Sequence, residues 1–373
     1  MLTETHAHVL RLINQSGPLS RTELVGQLGV SKASMSALTA DLIEKGMLTE
    51  GEIVYGAGRP SVRLELAASS AFFIGVSLAA SPFIIRVTDL HGQVVGSVDM
   101  PVATAPEDVV ASIARAVEQV LEGKTVERER LAGIGLAIPG LVDATSGVCI
   151  RSTVLGWRNV PIGDLVEQAT GIRTFVENDA NAVALGEHLF GSLRGSDACA
   201  MISVGDGIGC GLVINGELHR GARGGAGEIA HATIELNGIP CKCGKRGCLD
   251  TLASAKSIAN FAREAGLPGT LAALDKAADD GDQAAIAILH RAGSALGLAI
   301  SQIVQTLDPE RIVIALSDAP LDGPYARVIR QTLEANVMAN ETRQIDLAMM
   351  HLNEEAWAVG AASVAAGRGL FRI

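Results

Sequence analysis

A chain of 373 residues, 48% hydrophobic and 19% charged, is long enough for two or three compact units and apolar enough to fill large cores. Its net charge of -11 excludes general affinity for nucleic acid, because an evenly acidic surface repels phosphates. The charge is uneven, however: residues 1–60 hold five Lys/Arg against six Asp/Glu, so a DNA contact is expected only locally, within that segment.

The first segment reads as a small helical head, residues 1–68. Val9, Leu10, Leu12 and Ile13 predict a helix that ends near Ser16-Gly17-Pro18. Ser20 followed by Glu23 is a capping box opening a second helix, which stops at Gly29, where a left-handed turn is cheap. Ser31 caps a third helix with Ala33, Met35, Leu38, Leu42 and Ile43 on its apolar face. Helix, glycine turn, helix is the spacing of a helix-turn-helix, whose second helix enters the major groove. Lys32, Ser34, Ser36 and Thr39 are therefore the candidate DNA contacts on that helix. Two strands, Met47–Val54 and Ser61–Leu66, flank a glycine-flexed tip that carries Arg59, a wing suited to probing the minor groove.

From Phe72 the pattern becomes strand, loop and helix in alternation. Phe72–Leu78, Phe83–Thr88 and Val94–Val98 predict a meander, Pro106–Leu121 a helix, and Ala132–Ile138 a buried strand. The uncharged run 66–85 is interrupted by Ser69, Ser70, Ser77, Ser81 and Pro82, so two strands fit it better than a membrane span. Further on come Val176-Glu177-Asn178-Asp179, a glycine-rich turn at Val204-Gly205-Asp206-Gly207, and helices at Ser254–Ala265, Thr270–Ala278 and Ala284–Leu307. Arg311–Ser317 is a buried strand, and Glu355–Ala366 a helix rich in small residues.

The stretch Gly227–Asp250, GEIAHATIELNGIPCKCGKRGCLD, organises the rest. It brings His231, Cys241, Cys243 and Cys248 close enough in sequence to close one tetrahedral site, and three thiolates with one imidazole form a common structural zinc set. Four protein ligands leave no open position for a catalytic water. Glu228 lies one helical turn before His231 and Asp250 just after the last cysteine, so two carboxylates and a metal-fixed imidazole could read adjacent hydroxyls, as on a sugar. Six cysteines with three in this cluster point to a reducing cytoplasm, and no basic, apolar leader suggests secretion.

GEIAH followed by CKCGKRGCLD resembles the signature of the ROK family of repressors, open reading frames and sugar kinases, over the whole chain. The resemblance implies an α/β fold in which a winged helix-turn-helix precedes a two-lobed actin-like sugar-kinase body with a structural zinc knuckle. It divides the chain into a head at 1–68, a small lobe at 69–190 to which 355–373 returns, and a large lobe at 191–354. It also implies a carbohydrate site of Asn178, Asp179, Glu228, His231 and Asp250, with Asp179 at the kinase base position. Asp250 stands where the family usually has Glu, and Val154 where it commonly has Asn.

The nucleotide motifs depart from those of the family's kinases. Ser77 replaces the acid of the first phosphate turn, and Ala79 and Ala80 replace its glycines. Asp206 occupies a Thr position in the second turn, aiming a carboxylate at phosphate, and the Gly-Gly pair after Ile314 is missing. The reading is therefore of a cytoplasmic, non-enzymatic, sugar- or sugar-phosphate-responsive repressor that binds a two-fold operator as a homodimer or dimer of dimers, holds structural Zn2+ and touches no membrane. The alternatives are an ATP-dependent sugar kinase with a DNA-binding head, and a regulator whose effector is a protein.

Overall fold

In a computed structural model of the chain, residues 2–55, 60–79, 81–123, 126–338 and 346–373 are described. The chain separates into two compact units: residues 1–195 with 355–373, and residues 196–354.

The first unit begins with helix α1 (Glu4–Ser16), the short strand β1 (Leu19–Ser20), α2 (Arg21–Leu28) and α3 (Lys32–Glu44). Strands β2 (Leu48–Val54) and β3 (Ser61–Leu66) complete a three-stranded sheet of order β1-β3-β2, the wing read from sequence. The local signals act as expected. Ser20 and Glu23 exchange both bonds of a capping box, Gly29 is left-handed at φ 65°, and Ser31 accepts the amide of Ser34 at 3.1 Å. The wing tip, with Arg59, lies outside the described residues.

Strands β4 (Phe72–Ser77), β5 (Phe83–Thr88) and β6 (Val94–Met100) form the meander, followed by α4 (Pro106–Glu122) and β7 (Leu131–Ile138). A second small sheet, β8 (Leu141–Asp143), β9 (Val148–Ser152) and β10 (Trp157–Val160), leads to α5 (Ile162–Thr170), β11 (Thr174–Asn178) and α6 (Asp179–Phe190). The main sheet has order β11-β7-β4-β5-β6, with β4, β7 and β11 parallel and the meander antiparallel.

The second unit repeats this plan. Strands β12 (Cys199–Val204), β13 (Ile208–Ile214) and β14 (Glu217–Leu218) form an antiparallel meander. After the cysteine knuckle come α7 (Asp250–Ala253), α8 (Ala255–Glu264), α9 (Leu271–Asp279) and α10 (Gln283–Leu307). Strand β15 (Arg311–Leu316), α11 (Pro324–Ala335) and β16 (Asp346–His351) close a sheet of order β14-β13-β12-β15-β16, in which β12, β15 and β16 are parallel. Helix α10 has the length and apolarity to cross a membrane, but Leu289, Leu296 and Ile300 on it are buried in the core of this unit.

The last helix, α12 (Ala356–Ala366), belongs to the first unit. Its small residues let it lie directly on the main sheet: a Cβ at Gly135 would collide with the carbonyl of Ala361. Close packing of this kind allows no larger residue on either side. The head shares a core with this layer. Val9, Leu10 and Ile13 of α1 pack in one cluster with Leu185 and Leu189 of α6, Val364 of α12 and Phe371, which is why head and first lobe fall in one compact unit.

Candidate functional site

In the head, Lys32, Ser34 and Ser36 are exposed on the first turns of α3, as a major-groove contact requires. Ser36 Oγ donates to the Lys32 carbonyl at 2.9 Å, and Ser34 Oγ is 2.8 Å from Ser31 Oγ, so both hydroxyls are held in place. Ala33, expected on the apolar face, is exposed instead, whereas Met35 and Leu42 are fully buried.

Thr39 corrects the sequence reading. It is 0% exposed; its hydroxyl donates to the Met35 carbonyl at 2.9 Å and accepts Arg21 Nε at 2.9 Å. It cannot reach a base edge: helical period places it on the same face as Ser36, one turn on, but packing against α2 buries it there. Arg21 also reaches Glu50 at 2.9 Å, and Arg63 bonds Glu23 at 2.7 Å, so α2 is fastened to α3 and to both wing strands.

The knuckle of the second unit gathers its four predicted ligands. One donor atom from each of His231, Cys241, Cys243 and Cys248 lies within 4.8 Å of the others. Cys241 Sγ is 3.6 Å from His231 Nδ1, and Cys243 Sγ is 3.6 Å from Cys248 Sγ. Zinc–ligand bonds of about 2.0–2.3 Å put tetrahedral ligands at about these separations, so the set fits a structural zinc ion. Burial, and then the neighbouring sulfurs, push the Cys248 thiol up to about 12, a cost that a bound dication would offset. With Nδ1 turned to the cysteines, His231 Nε2 faces Glu228 at 4.0 Å. Asp250 is largely buried; its Oδ1 accepts the Ile208 amide at 3.3 Å, and Oδ2 is 3.6 Å from Lys242 Nζ. Lys242 beside this carboxylate was not anticipated; its place between two cysteines of the motif was the available signal.

In the first unit, Asn178 is the N-cap of α6. Its Oδ1 accepts the amides of Ala180 and Asn181 at 2.9 and 3.2 Å, and its Nδ2 donates to the Gly140 carbonyl at 3.0 Å. Most of its hydrogen-bonding capacity thus frames the helix and the Pro139-Gly140 turn, leaving one amide hydrogen for a ligand. Asp179 Oδ1 accepts the Ala180 amide at 3.0 Å at the positive end of the helix, where a carboxylate is favoured. Behind them Glu177, 2% exposed, accepts the Asn178 amide at 3.0 Å and Asn181 Nδ2 at 3.1 Å, a buried carboxylate that periodicity alone did not single out.

At the first phosphate-turn position Ser77 is fully buried and accepts the Ala79 amide at 3.3 Å, whereas Ala80 lies outside the described residues. In the second turn the Gly205 amide donates to the Gly207 carbonyl at 2.9 Å, and Asp206 is exposed between them. After β15, Asp318 takes a left-handed conformation, φ 52°.

The profile described as ROK family matches residues 73–368. The chain belongs to the ROK family. A second profile, MarR family, matches residues 2–50, the helical part of the head. Among relatives, the xylose repressor of Bacillus subtilis strain 168 is 26% identical over 358 residues, covering 95% of this chain and 93% of its own. A glucokinase of Thermotoga maritima is 34% identical over 313 residues, covering 78% of this chain and 96% of its own. A crystal structure of a ROK family transcriptional regulator, described as a homologue of the Escherichia coli MLC protein, superposes with a TM-score of 0.82 at 26% identity, covering 99% of this chain and 96% of that one. Regulators in the ROK family thus match head and body together, whereas this kinase matches only the body.

Proposed function

We propose that the protein is a sugar-responsive, DNA-binding ROK repressor of the cytoplasm. The observation that carries this reading is the head: a recognition helix with Lys32, Ser34 and Ser36 exposed, joined to a ROK body along almost the full length of a ROK transcriptional regulator. A kinase needs no such helix. The DNA partner is a two-fold operator bound by a homodimer or dimer of dimers, and Arg59 at the wing tip is assigned to the minor groove by its place in the sequence.

The effector is a monosaccharide or its phosphate. By the family resemblance, Asn178, Asp179, Glu228, His231 and Asp250 are assigned to its hydroxyls. The polar groups described above support this assignment. Zinc, held by His231, Cys241, Cys243 and Cys248, supplies shape rather than chemistry, since four protein ligands fill its coordination. Effector binding favours one arrangement of the protein and thereby changes operator affinity by population shift.

The body is assigned no catalysis. Buried Ser77 offers no carboxylate to a nucleotide-bound metal, and Asp206 would repel phosphate. The glucokinase relative favours a second reading, an active sugar kinase, in which Asp179 would take the proton of the attacked hydroxyl.

The deciding experiment is a thermal-shift screen of zinc-loaded protein with D-xylose, D-glucose, other monosaccharides, their phosphates and ATP, followed by ATP turnover with each sugar that binds. A shift with a sugar, none with ATP and no turnover is the expected result. Phosphorylation that disappears in Asp179→Asn establishes the kinase instead.

A further inference from the structure

Helix α6 connects the proposed effector groups with the DNA-binding head. Asn178 caps it, Asp179 opens its first turn and Leu189 lies in its last, so its 12 residues span about 18 Å. The last carbonyls of an α-helix have no partner within it. That of Leu189 is satisfied from the head: Asn14, on α1, donates Nδ2 to it at 2.8 Å. The bond is dry, since Asn14 is 4% exposed and Leu189 0%, and Leu10, Ile13, Leu185 and Phe371 pack in the same cluster.

Three further contacts make this junction stiff. Gly360 of α12 sits against the Ala182 carbonyl of α6, where a Cβ would stand 2.5 Å away. Arg372, beyond α12, donates to the Leu2 carbonyl at 2.9 Å, and His91 Nε2 is 3.0 Å from the Leu66 carbonyl at the end of the wing. On its other side α1 reaches the recognition helix, with His6 Nε2 3.0 Å from Asp41 on α3.

We infer that Asn14 is a positioning residue that couples the first turn of α6 to the recognition helix, so that head and first lobe answer the effector as one body. This rests on the effector role assigned to Asp179. A head that pivoted freely would leave a buried amide and a buried carbonyl unbonded, and that cost holds the junction closed. A ligand that draws on Asp179 biases α6, and the Leu189–Asn14 bond passes the bias to α1, to Asp41 and to α3.

The test is a double-mutant cycle of Asn14→Ala and Asp179→Asn in zinc-loaded, full-length protein, read as affinity for a DNA duplex that the wild-type protein enriches from a random library. Sites this far apart ordinarily act independently. Coupling predicts a combined effect that departs at least threefold from the product of the two single effects; agreement within twofold overturns it. Should Asn14→Ala not fold, amide exchange in Asp179→Asn alone decides: a threefold or larger change in residues 10–16 supports the coupling, and unchanged exchange there overturns it. Thermal shift of the wild-type protein with D-xylose and D-glucose runs alongside. A shift with either sugar supports the effector role, and none with these or the wider sugar panel overturns that role while the cycle still judges the coupling.

Discussion

Arg21 Nε donates to Thr39 Oγ1 at 2.9 Å, joining the two helices of the helix-turn-helix through a hydroxyl with no exposed surface. The angle at which Lys32, Ser34 and Ser36 are presented therefore depends on a residue that itself touches no DNA.

Thr39→Val removes that acceptor while keeping the volume, and is expected to lower stability by about 1 kcal/mol. Lys32→Ala is expected to leave the fold intact and, by removing the proposed phosphate contact, to reduce the slope of log Kobs against log salt by about 1. Operator titrations at several salt concentrations separate the two: the slope falls in Lys32→Ala and is retained in Thr39→Val.

Cys243→Ala and His231→Ala each take one ligand from the knuckle. Both are expected to lose bound zinc and to lower stability by roughly 2–4 kcal/mol, and a chelator should do the same to the wild type. Metal analysis with thermal melts of each protein checks this. Unchanged zinc content in His231→Ala would remove the imidazole from the ligand set.

Asp275 lies in the core of the second unit, 1% exposed, and accepts the Tyr325 amide at 2.9 Å with Oδ1. Burial raises its pKa from 3.8 to about 6. The folded state thus binds the proton more tightly than the unfolded chain, and stability from this group is fully present below pH 3.8 and is lost as pH rises through about 6. Asp275→Asn is expected to stabilise the protein by about 2 kcal/mol above pH 7 and to change little below pH 4. Urea unfolding at the two pH values gives the comparison; equal effects at both would rule out the buried charge as the cause.

Gly135→Ala puts a methyl group into the Ala361 carbonyl where α12 lies on the main sheet. Helix and strand are both pinned, so the expected loss exceeds about 3 kcal/mol, measured by denaturant unfolding. Gly96→Ala, on the meander, meets only Val87 side-chain carbons at 3.4–3.5 Å and should stay within about 1 kcal/mol.

Much of the chain could be read from local signals. The Ser20–Glu23 capping box, the Gly29 stop, the paired strands of the wing and the close packing of α12 each depend on residues a few positions apart or on side-chain size, so periodicity and capping chemistry specify them. The knuckle was legible for the same reason: three cysteines within eight positions and a histidine ten before them can meet with little help from the rest of the fold. The small sheet β8-β9-β10 was not foreseen, because its strands are three to five residues long and lack a clean alternation.

What tertiary structure decided is which polar groups remain available. Helical period gave Thr39 the same standing as Ser36, and only packing against α2 buried it. Asn178 looked free to meet a sugar until its oxygen was found capping α6 and its amide bonding Gly140. Asn14 was one polar residue beside an apolar stripe; its partner, the Leu189 carbonyl, stands 175 positions away. A sequence announces the groups that can form hydrogen bonds, but burial sets which of them must be satisfied inside the protein, and burial is created by segments distant in the chain.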